Sequence, residues 1–415
     1  MAMLVLSVFL MAFSIFGLFL RAVSPGRQPA PAPPHNPPVP DGPKLSLTSS
    51  STFTIAIFSD LHYGEEENGW GIDQDVNSTR VMASILDYQK PDLVVINGDL
   101  ITGENTFKEN SSYYVHQIVS PMVDRKVPWA STYGNHDSKY NLSREDIFAA
   151  EKKYPLSYTQ HMDTKLAGIT NYYLLIQQPG SGRPAAILWF FDSRGGASYQ
   201  RDSSDKDDIP NWVAPETVDW FTKTAKDLQK TYGLLPSIAF VHIPPHPFLA
   251  AQRTGVDPAR FPGINDDVPL SIQGEGSEDK PFANALLAEQ GLHSVYVGHD
   301  HGDAWCSPWP EDHHLKPRAG QQKRHGDEHE GPFLCFSKHT GYGGYGNWNR
   351  GSRFVQLSFH DDNDDGDFNE EGEMEVQTWV RMENGDIVTH VTLNETYGTD
   401  IYPTEDGETP KAGKR

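Results

Sequence analysis

TIAIFSDLH, residues 54–62, is the stretch whose reading decides the fold. An apolar, β-branched run without polar alternation reads as a strand buried on both faces. The run stops at Ser59, and Asp60 and His62 follow with a hard oxygen and a borderline nitrogen donor. Open α/β sheets gather their ligands at the carboxyl ends of such strands. The phrase recurs along the chain. LVVING leads into Asp99, WASTYG into Asn135 with His136, IAFV into His242, and SVYVG into His299 with His301. Five stretches can therefore aim metal-binding side chains at one spot.

The intervening sequence alternates in period. A strand near 54–59 precedes a helix near 76–89 with Val81, Ile85 and Leu86 on one face. A strand at 93–97, a helix at 112–125 and a strand at 128–133 come next. Ser143 reads as the N-cap of a helix to about 154, with Asp146 three residues on. Strands at 171–177 and 185–192 flank the turn Pro179-Gly180-Ser181-Gly182. A helix at 215–231 precedes strand 237–242, and a helix at 280–290 precedes strand 294–298. The tail supplies β segments at 333–337, 353–359, 374–382 and 387–393. βα units followed mostly by strands predict two sheets with helices outside, an α/β architecture.

Composition sets the partners. The chain has 415 residues and a formal charge of −22. A field of that sign repels nucleic acid and anionic membrane surfaces, so no nucleic-acid binding is expected. An anionic substrate then needs local positive charge, which bound metals supply. Residues 1–24 read as a secretory signal, with a retained signal anchor as the alternative. That segment is the one expected membrane contact, and secretion or vacuolar delivery is the expected destination. Residues 25–50 form a linker, proline-rich over 25–43. Residues 51–398 form the folded domain and 399–415 a polar tail. Four sequons, at Asn77, Asn110, Asn141 and Asn394, agree with export. In an oxidising compartment the two cysteines, Cys306 and Cys335, form one disulfide; two unpaired buried thiols are the other reading.

Two segments invite metal readings of their own. The stretch 307–331 holds His313, His314, His325 and His329 but reads as a solvated surface loop. Residues 361–373, DDNDDGDFNEEGE, begin like a calcium loop, yet Gly372 stands where a bidentate Glu is required. An acidic hairpin loop is expected there.

The strand-end residues suit a pair of cations about 3.5–4 Å apart. Asp99, on a glycine turn, is the natural bridge between them. Asp60 and His62 reach one metal, His299 and His301 are divided between the two, and Asn135 and His242 serve the second. Two divalent cations less two carboxylates leave about +2, which suits a phosphate group, and an acidified bridging water can attack phosphorus in line. His136 follows a ligand directly and can face the leaving group, with Asp137 orienting its ring.

These motifs are where a family becomes recognisable. Asp60-Leu61-His62, Gly98-Asp99, Gly134-Asn135-His136-Asp137, His242 and Gly298-His299-Asp300-His301 resemble the signature of calcineurin-like metallophosphoesterases. The resemblance implies a four-layer αββα sandwich, two mixed β-sheets flanked by helices. It implies one metal held by Asp60, His62, Asp99 and His301, and the other by Asp99, Asn135, His242 and His299. His136 is then the general acid or transition-state stabiliser. The phrases FSDLHYGE, VINGDLITGEN and HTGYGGYGNW resemble the fungal and plant branch related to purple acid phosphatases. That branch carries a ferric-ligand Tyr three residues after the Gly-Asp aspartate. Thr102 stands there in this chain, and His62 replaces the ligand. The donors accept Mn, Fe or Zn.

The leading expectation is a phosphomonoesterase acting on a phosphoprotein or a small phosphate ester. A phosphodiesterase or nucleotide-cleaving enzyme with the same metals is the runner-up, and a metal-binding scaffold without catalysis is the third reading. Loops 195–212, 251–279 and 340–350 are expected to wall the site. Tyr342, Tyr345 and Trp348 either stack on a substrate ring or pack their own loop.

Overall fold

The computed structural model describes residues 44–107, 109–138, 141–198, 208–310, 331–359 and 374–403. In chain order the strands are β1 (Leu45–Ser46), β2 (Thr52–Phe58), β3 (Leu93–Asn97), β4 (Trp129–Thr132), β5 (Tyr172–Gln177), β6 (Pro184–Phe191), β7 (Ser237–Val241), β8 (Leu292–Val297), β9 (Cys306–Ser307), β10 (Phe333–Phe336), β11 (Gly351–Phe359), β12 (Met374–Met382) and β13 (Ile387–Thr392). The helices are α1 (Gly71–Tyr88), α2 (Ser111–Arg125), α3 (Arg144–Glu151), α4 (Pro215–Tyr232), α5 (His246–Thr254) and α6 (Lys280–Ala288).

They build a seven-stranded sheet, β1-β5-β6-β7-β8-β10-β9, and a six-stranded sheet, β13-β12-β11-β2-β3-β4. Both are mixed. β2, β3 and β4 run parallel, as do β6, β7, β8 and β10, while β11 to β13 are antiparallel.

Why the strand runs are apolar throughout is visible in how each strand divides its residues. Successive side chains leave a strand on opposite faces. From β2, Phe53, Ile55 and Ile57 enter the core between the sheets, while Ala56 and Phe58 pack with α1 and α2. From β6, Ala186, Leu188 and Phe190 face the same inter-sheet core, while Ile187, Trp189 and Phe191 pack with α4 and α6. Three hydrophobic layers between four structural ones give the expected αββα sandwich.

Three departures have local causes. β1 lies inside the stretch read as linker: Leu45 and Leu47 are buried in the inter-sheet core, and Leu45 pairs with Ile176. Two apolar residues after a run of prolines give no periodic signal. α1 begins at Gly71, earlier than expected, because its first turns expose Ile72 and Val76 and so break the apolar stripe. α5 occupies a span where no helix was expected. Pro245 and Pro247 disguise it, yet proline is tolerated in a helix's first turn, where the N–H has no intrahelical partner. Ser143 does cap α3, its Oγ accepting from Asp146 N at 3.1 Å.

Cys306 and Cys335 are cross-strand partners of β9 and β10 and form a disulfide. Among the described residues no helix is long and apolar enough to cross a membrane. The proposed signal segment, most of the linker, the histidines of the 307–331 loop and the acidic segment 361–373 lie outside the described residues.

Candidate metal centre

The parallel strands of both sheets end at one place, and the turns leaving them are stitched together. Asp60 N donates to Gly98 O at 3.1 Å, and His62 N to Asp99 O at 3.0 Å, which joins the ends of β2 and β3. Gly298 N donates to His242 O at 3.0 Å, joining β7 to β8. The two sheets are tied across the gap by His299 N donating to Asp60 Oδ1 at 3.0 Å and Asn97 Nδ2 donating to Tyr296 O at 3.2 Å.

Such abrupt turns impose unusual backbone. Asp60, His62, Asp99 and His299 all have positive φ, between 50° and 75°. Residues with side chains avoid this region, and such conformations cluster at functional sites, held by the surrounding structure. The neighbouring glycines are required by close approach. A Cβ on Gly98 would lie 2.2 Å from His242 Nδ1, and one on Gly134 would lie 2.2 Å from Asp99 Oδ1.

The donor atoms converge in three overlapping groups: Asp60, His62 and His301; His62, Asp99 and His136; Asp99, His242 and His299. Within each group the atoms lie within 4.8 Å of one another. Asp99 Oδ2 is 3.0 Å from His242 Nε2 and 3.7 Å from His62 Nε2. Asp60 Oδ1 is 3.6 Å from His301 Nε2 and 3.8 Å from His242 Nε2. Asn135, in the turn after β4, lines the same cavity as His299, and its Oδ1 is buried without a hydrogen-bond partner.

The chemistry of this donor set fits metal ions. His301 Nδ1 donates to Tyr345 O at 2.9 Å, and His242 Nδ1 donates to Asn97 O at 2.8 Å. Carbonyls only accept, so both rings carry the proton on Nδ1, and in the neutral form Nε2 offers a lone pair to the centre. His62 Nδ1 is held by Thr102 Oγ1 at 3.2 Å. Its Nε2 meets His301 Nε2 at only 3.1 Å, a pairing that a cation held between them would relieve. Burial opposes charge on His242, yet Asp99, Asp60 and the Asn97 carbonyl lift its pKa to about 10. Burial, with His242 alongside, pushes His299 down to about 3. Positive charge is wanted beside the carboxylates, and a metal ion supplies it without a proton.

One reading is corrected. Asp137 does not orient His136. Its Oδ1 accepts from Leu100 N at 2.8 Å and Ile101 N at 3.1 Å, and its Oδ2 from Gly134 N at 2.7 Å. It locks the Asp99 turn to the Asn135 turn instead, since a fully buried carboxylate needs its acceptors filled. The partner of His136 is Glu104, with Oε1 2.7 Å from Nδ1. His136 N also donates to Asp99 Oδ1 at 2.8 Å.

Glu104, Thr102, Asn97 and the Tyr345 carbonyl carry work that the sequence reading did not assign. Asn97 is a polar residue closing an apolar strand just before Gly98-Asp99, which is the signal that could have found it. The loop at 340–350 does wall the site. The Tyr345 ring stacks on that of His301 with centroids 4.1 Å apart, and its hydroxyl donates to Asp267 Oδ2 at 2.7 Å. Of the two readings of these aromatics, loop packing holds for Tyr345. Arg144 braces the opposite wall by donating to Gly134 O at 2.7 Å and pairing with Asp192 at 3.3 Å. Beside His136 a cavity of about 440 Å³ opens, with Glu104, Asn135 and His299 in its lining.

Comparison with known proteins agrees with this geometry. The profile of the calcineurin-like phosphoesterases matches residues 53–303. The chain is 25% identical over 354 residues to "Probable inactive purple acid phosphatase 29" of Arabidopsis thaliana, covering 76% of this chain and 79% of that protein. It is 26% identical over 282 residues to "Phosphatase DCR2" of Saccharomyces cerevisiae, covering 63% of this chain and 46% of that one. Its fold is similar to that of a dimetal phosphatase from Danio rerio, with a TM-score of 0.50 and 13% identity over 83% of this chain and 99% of the other. With the strand order, the convergent donors and the profile in agreement, this chain belongs to the calcineurin-like phosphoesterase family.

Proposed function

We propose that the chain is a dimetal phosphomonoesterase of the secretory pathway. Asp60, His62, Asp99 and His301 would hold one cation, and Asp99, Asn135, His242 and His299 the other. The observation that carries the reading is Asp99, whose carboxylate belongs to two of the three donor groups and so suits a bridge. Two bound divalent cations would supply Lewis-acid activation of the phosphoryl group and of the attacking water.

The chain's own residues do the rest. Thr102, Asn97 and Tyr345 fix ring orientation for His62, His242 and His301. Asp137 fixes the spacing of the Asp99 and Asn135 turns. Glu104 lies 2.7 Å from His136 Nδ1 and would favour the charged ring, whose Nε2 would donate the proton to the leaving oxygen. The His136 side chain is 27% exposed, enough to meet a bound ester. The cavity of about 440 Å³ lined by Glu104, Asn135 and His299 has room for the alcohol arm of an ester. The Cys306–Cys335 disulfide supports an oxidising compartment.

The name of the Arabidopsis relative keeps the non-catalytic scaffold in view. The full donor set, together with a held His136, favours catalysis. The test is turnover of para-nitrophenyl phosphate against its bis-ester with added Mn or Zn, alongside elemental analysis. Monoester cleavage with two metals per chain supports the reading. Preferential bis-ester cleavage would select the phosphodiesterase, and metal without cleavage of either would select the scaffold.

A further inference from the structure

The cavity is lined by Asn135, His299 and Glu104, the last of which lies 2.7 Å from His136, so it is placed to take the part of a substrate that is not the phosphoryl group. Its charge is therefore a specificity statement. Among the described residues no lysine or arginine lines it, whereas Glu104 and Asp208 both do. The guanidinium groups nearby are committed elsewhere. Arg144 is spent on Gly134 O, Gly195 O and Asp192, and Arg194 on Trp212 O, with its guanidinium over the Trp212 ring.

Of these two carboxylates Glu104 lies against His136, while Asp208 stands exposed in the lining with no basic partner among the described residues. Its place is set by backbone: Asp208 pairs with Ala197, Ile209 N donates to Gly196 O at 2.9 Å, and Ala197 N donates to Ser138 O at 2.7 Å. The wall bearing Asp208 is thus stitched to the turn bearing His136. Asn211 adds an amide to the lining and Ile243 a small apolar surface.

We propose that the site selects small phosphomonoesters whose alcohol portion is uncharged and polar, or cationic, and rejects those carrying further negative charge. This inference rests on the phosphomonoesterase reading and names its substrate class. Amino-alcohol and polyol phosphates fit. Phosphorylated carboxylic acids and nucleoside di- and triphosphates do not. At effective dielectrics of about 20–40 and separations of about 7 Å, one like-charge contact costs roughly tenfold in affinity. The chain's formal charge of −22 adds to the same bias at long range.

The test separates binding from turnover. Phosphonates have a P–C bond that the reaction leaves intact, so calorimetry of the metal-loaded protein with 2-aminoethylphosphonate, 2-hydroxyethylphosphonate and 3-phosphonopropionate reads selectivity alone. The aminoethyl compound should bind at least as well as the hydroxyethyl one, and the carboxylate about tenfold or more worse. The gap should narrow with added salt. Asp208→Asn should shrink it by about tenfold and Asp208→Lys should reverse its sign. Equal affinities, or a gap unmoved in both variants, would overturn the proposal. The matching esters, ethanolamine phosphate and 3-phosphoglycerate, form the second arm. Selective phosphonate binding without cleavage of either ester would leave the charge filter standing and refute the phosphatase reading.

Discussion

The floor of the site and its rim are built on different principles. On the floor, backbone fixes several of the side chains: Asn97 O holds His242, Tyr345 O holds His301, and three main-chain N–H groups hold Asp137, while the Thr102 hydroxyl holds His62. Four floor residues occupy positive φ, and the adjoining glycines leave no room for a side chain. The rim is made of side chains on loops. Glu104 lies 2.7 Å from His136, and the exposed Asp208 is bridged to the buried Ala197. The difference teaches that the reaction class is set where backbone over-determines geometry. Substrate choice is set where single side chains can change without disturbing the fold.

The contrast can be broken from the floor first. Asp99→Ala removes a donor common to two groups, and it should abolish turnover and empty at least one metal position. Elemental analysis with unchanged occupancy would contradict the bridging role. His136→Ala should lower turnover by roughly 10²–10⁴ with both metals retained, which separates an acid from a ligand. Loss of metal in that variant would move His136 into the ligand set.

Smaller effects sharpen the boundary. Thr102→Val removes the oxygen behind His62 Nδ1, and metal affinity should fall by about 10–100-fold with little change in folding. Competition with a chelator reads this directly. Glu104→Gln should cost less than His136→Ala and add nothing to it in the double variant, since Glu104 acts through the ring. An additive loss would mean that Glu104 touches substrate independently.

A structural control lies behind β4. The buried Glu151 carboxylate accepts from Trp129 Nε1 at 2.9 Å, from Ser131 Oγ at 2.6 Å and from the Tyr133 hydroxyl. Glu151→Ala should lower stability by about 1–3 kcal/mol for each donor orphaned, seen in thermal unfolding. The metal content of the folded fraction should stay intact. If metal is lost while the fold persists, the end of β4 is less independent of its packing than the floor geometry implies.

Asp192 shows what strand-end reasoning alone cannot separate. It closes β6, beside β7, and looks in sequence much like Asp60 at the end of β2. Its carboxylate is spent on Ile169 N at 2.8 Å, Arg194 N at 2.8 Å and Arg144. What distinguishes the two is company: Asp60 has His62 two residues on. The seven proposed ligands and His136 were legible for that reason, as they fall in short motifs with apolar strands before them. Glu104 was not, because a glutamate in a glycine-bounded loop has no periodicity and its partner is 32 residues away. Asp137 was legible as a site residue but misread in role, since adjacency to His136 in the chain says nothing of where its carboxylate points.

By itself, the sequence determined the layers, the strand ends and the identity of the converging donors. Those follow from the two-residue period of buried strands and from the placement of polar residues immediately after them. Only the tertiary structure decided which oxygen braces which ring, that Leu45 and Leu47 belong to the core, and that two carboxylates, with no lysine or arginine among the described lining residues, overlook the site. Such contacts join loops far apart in the chain, and their geometry is fixed by packing, which leaves no local pattern to read.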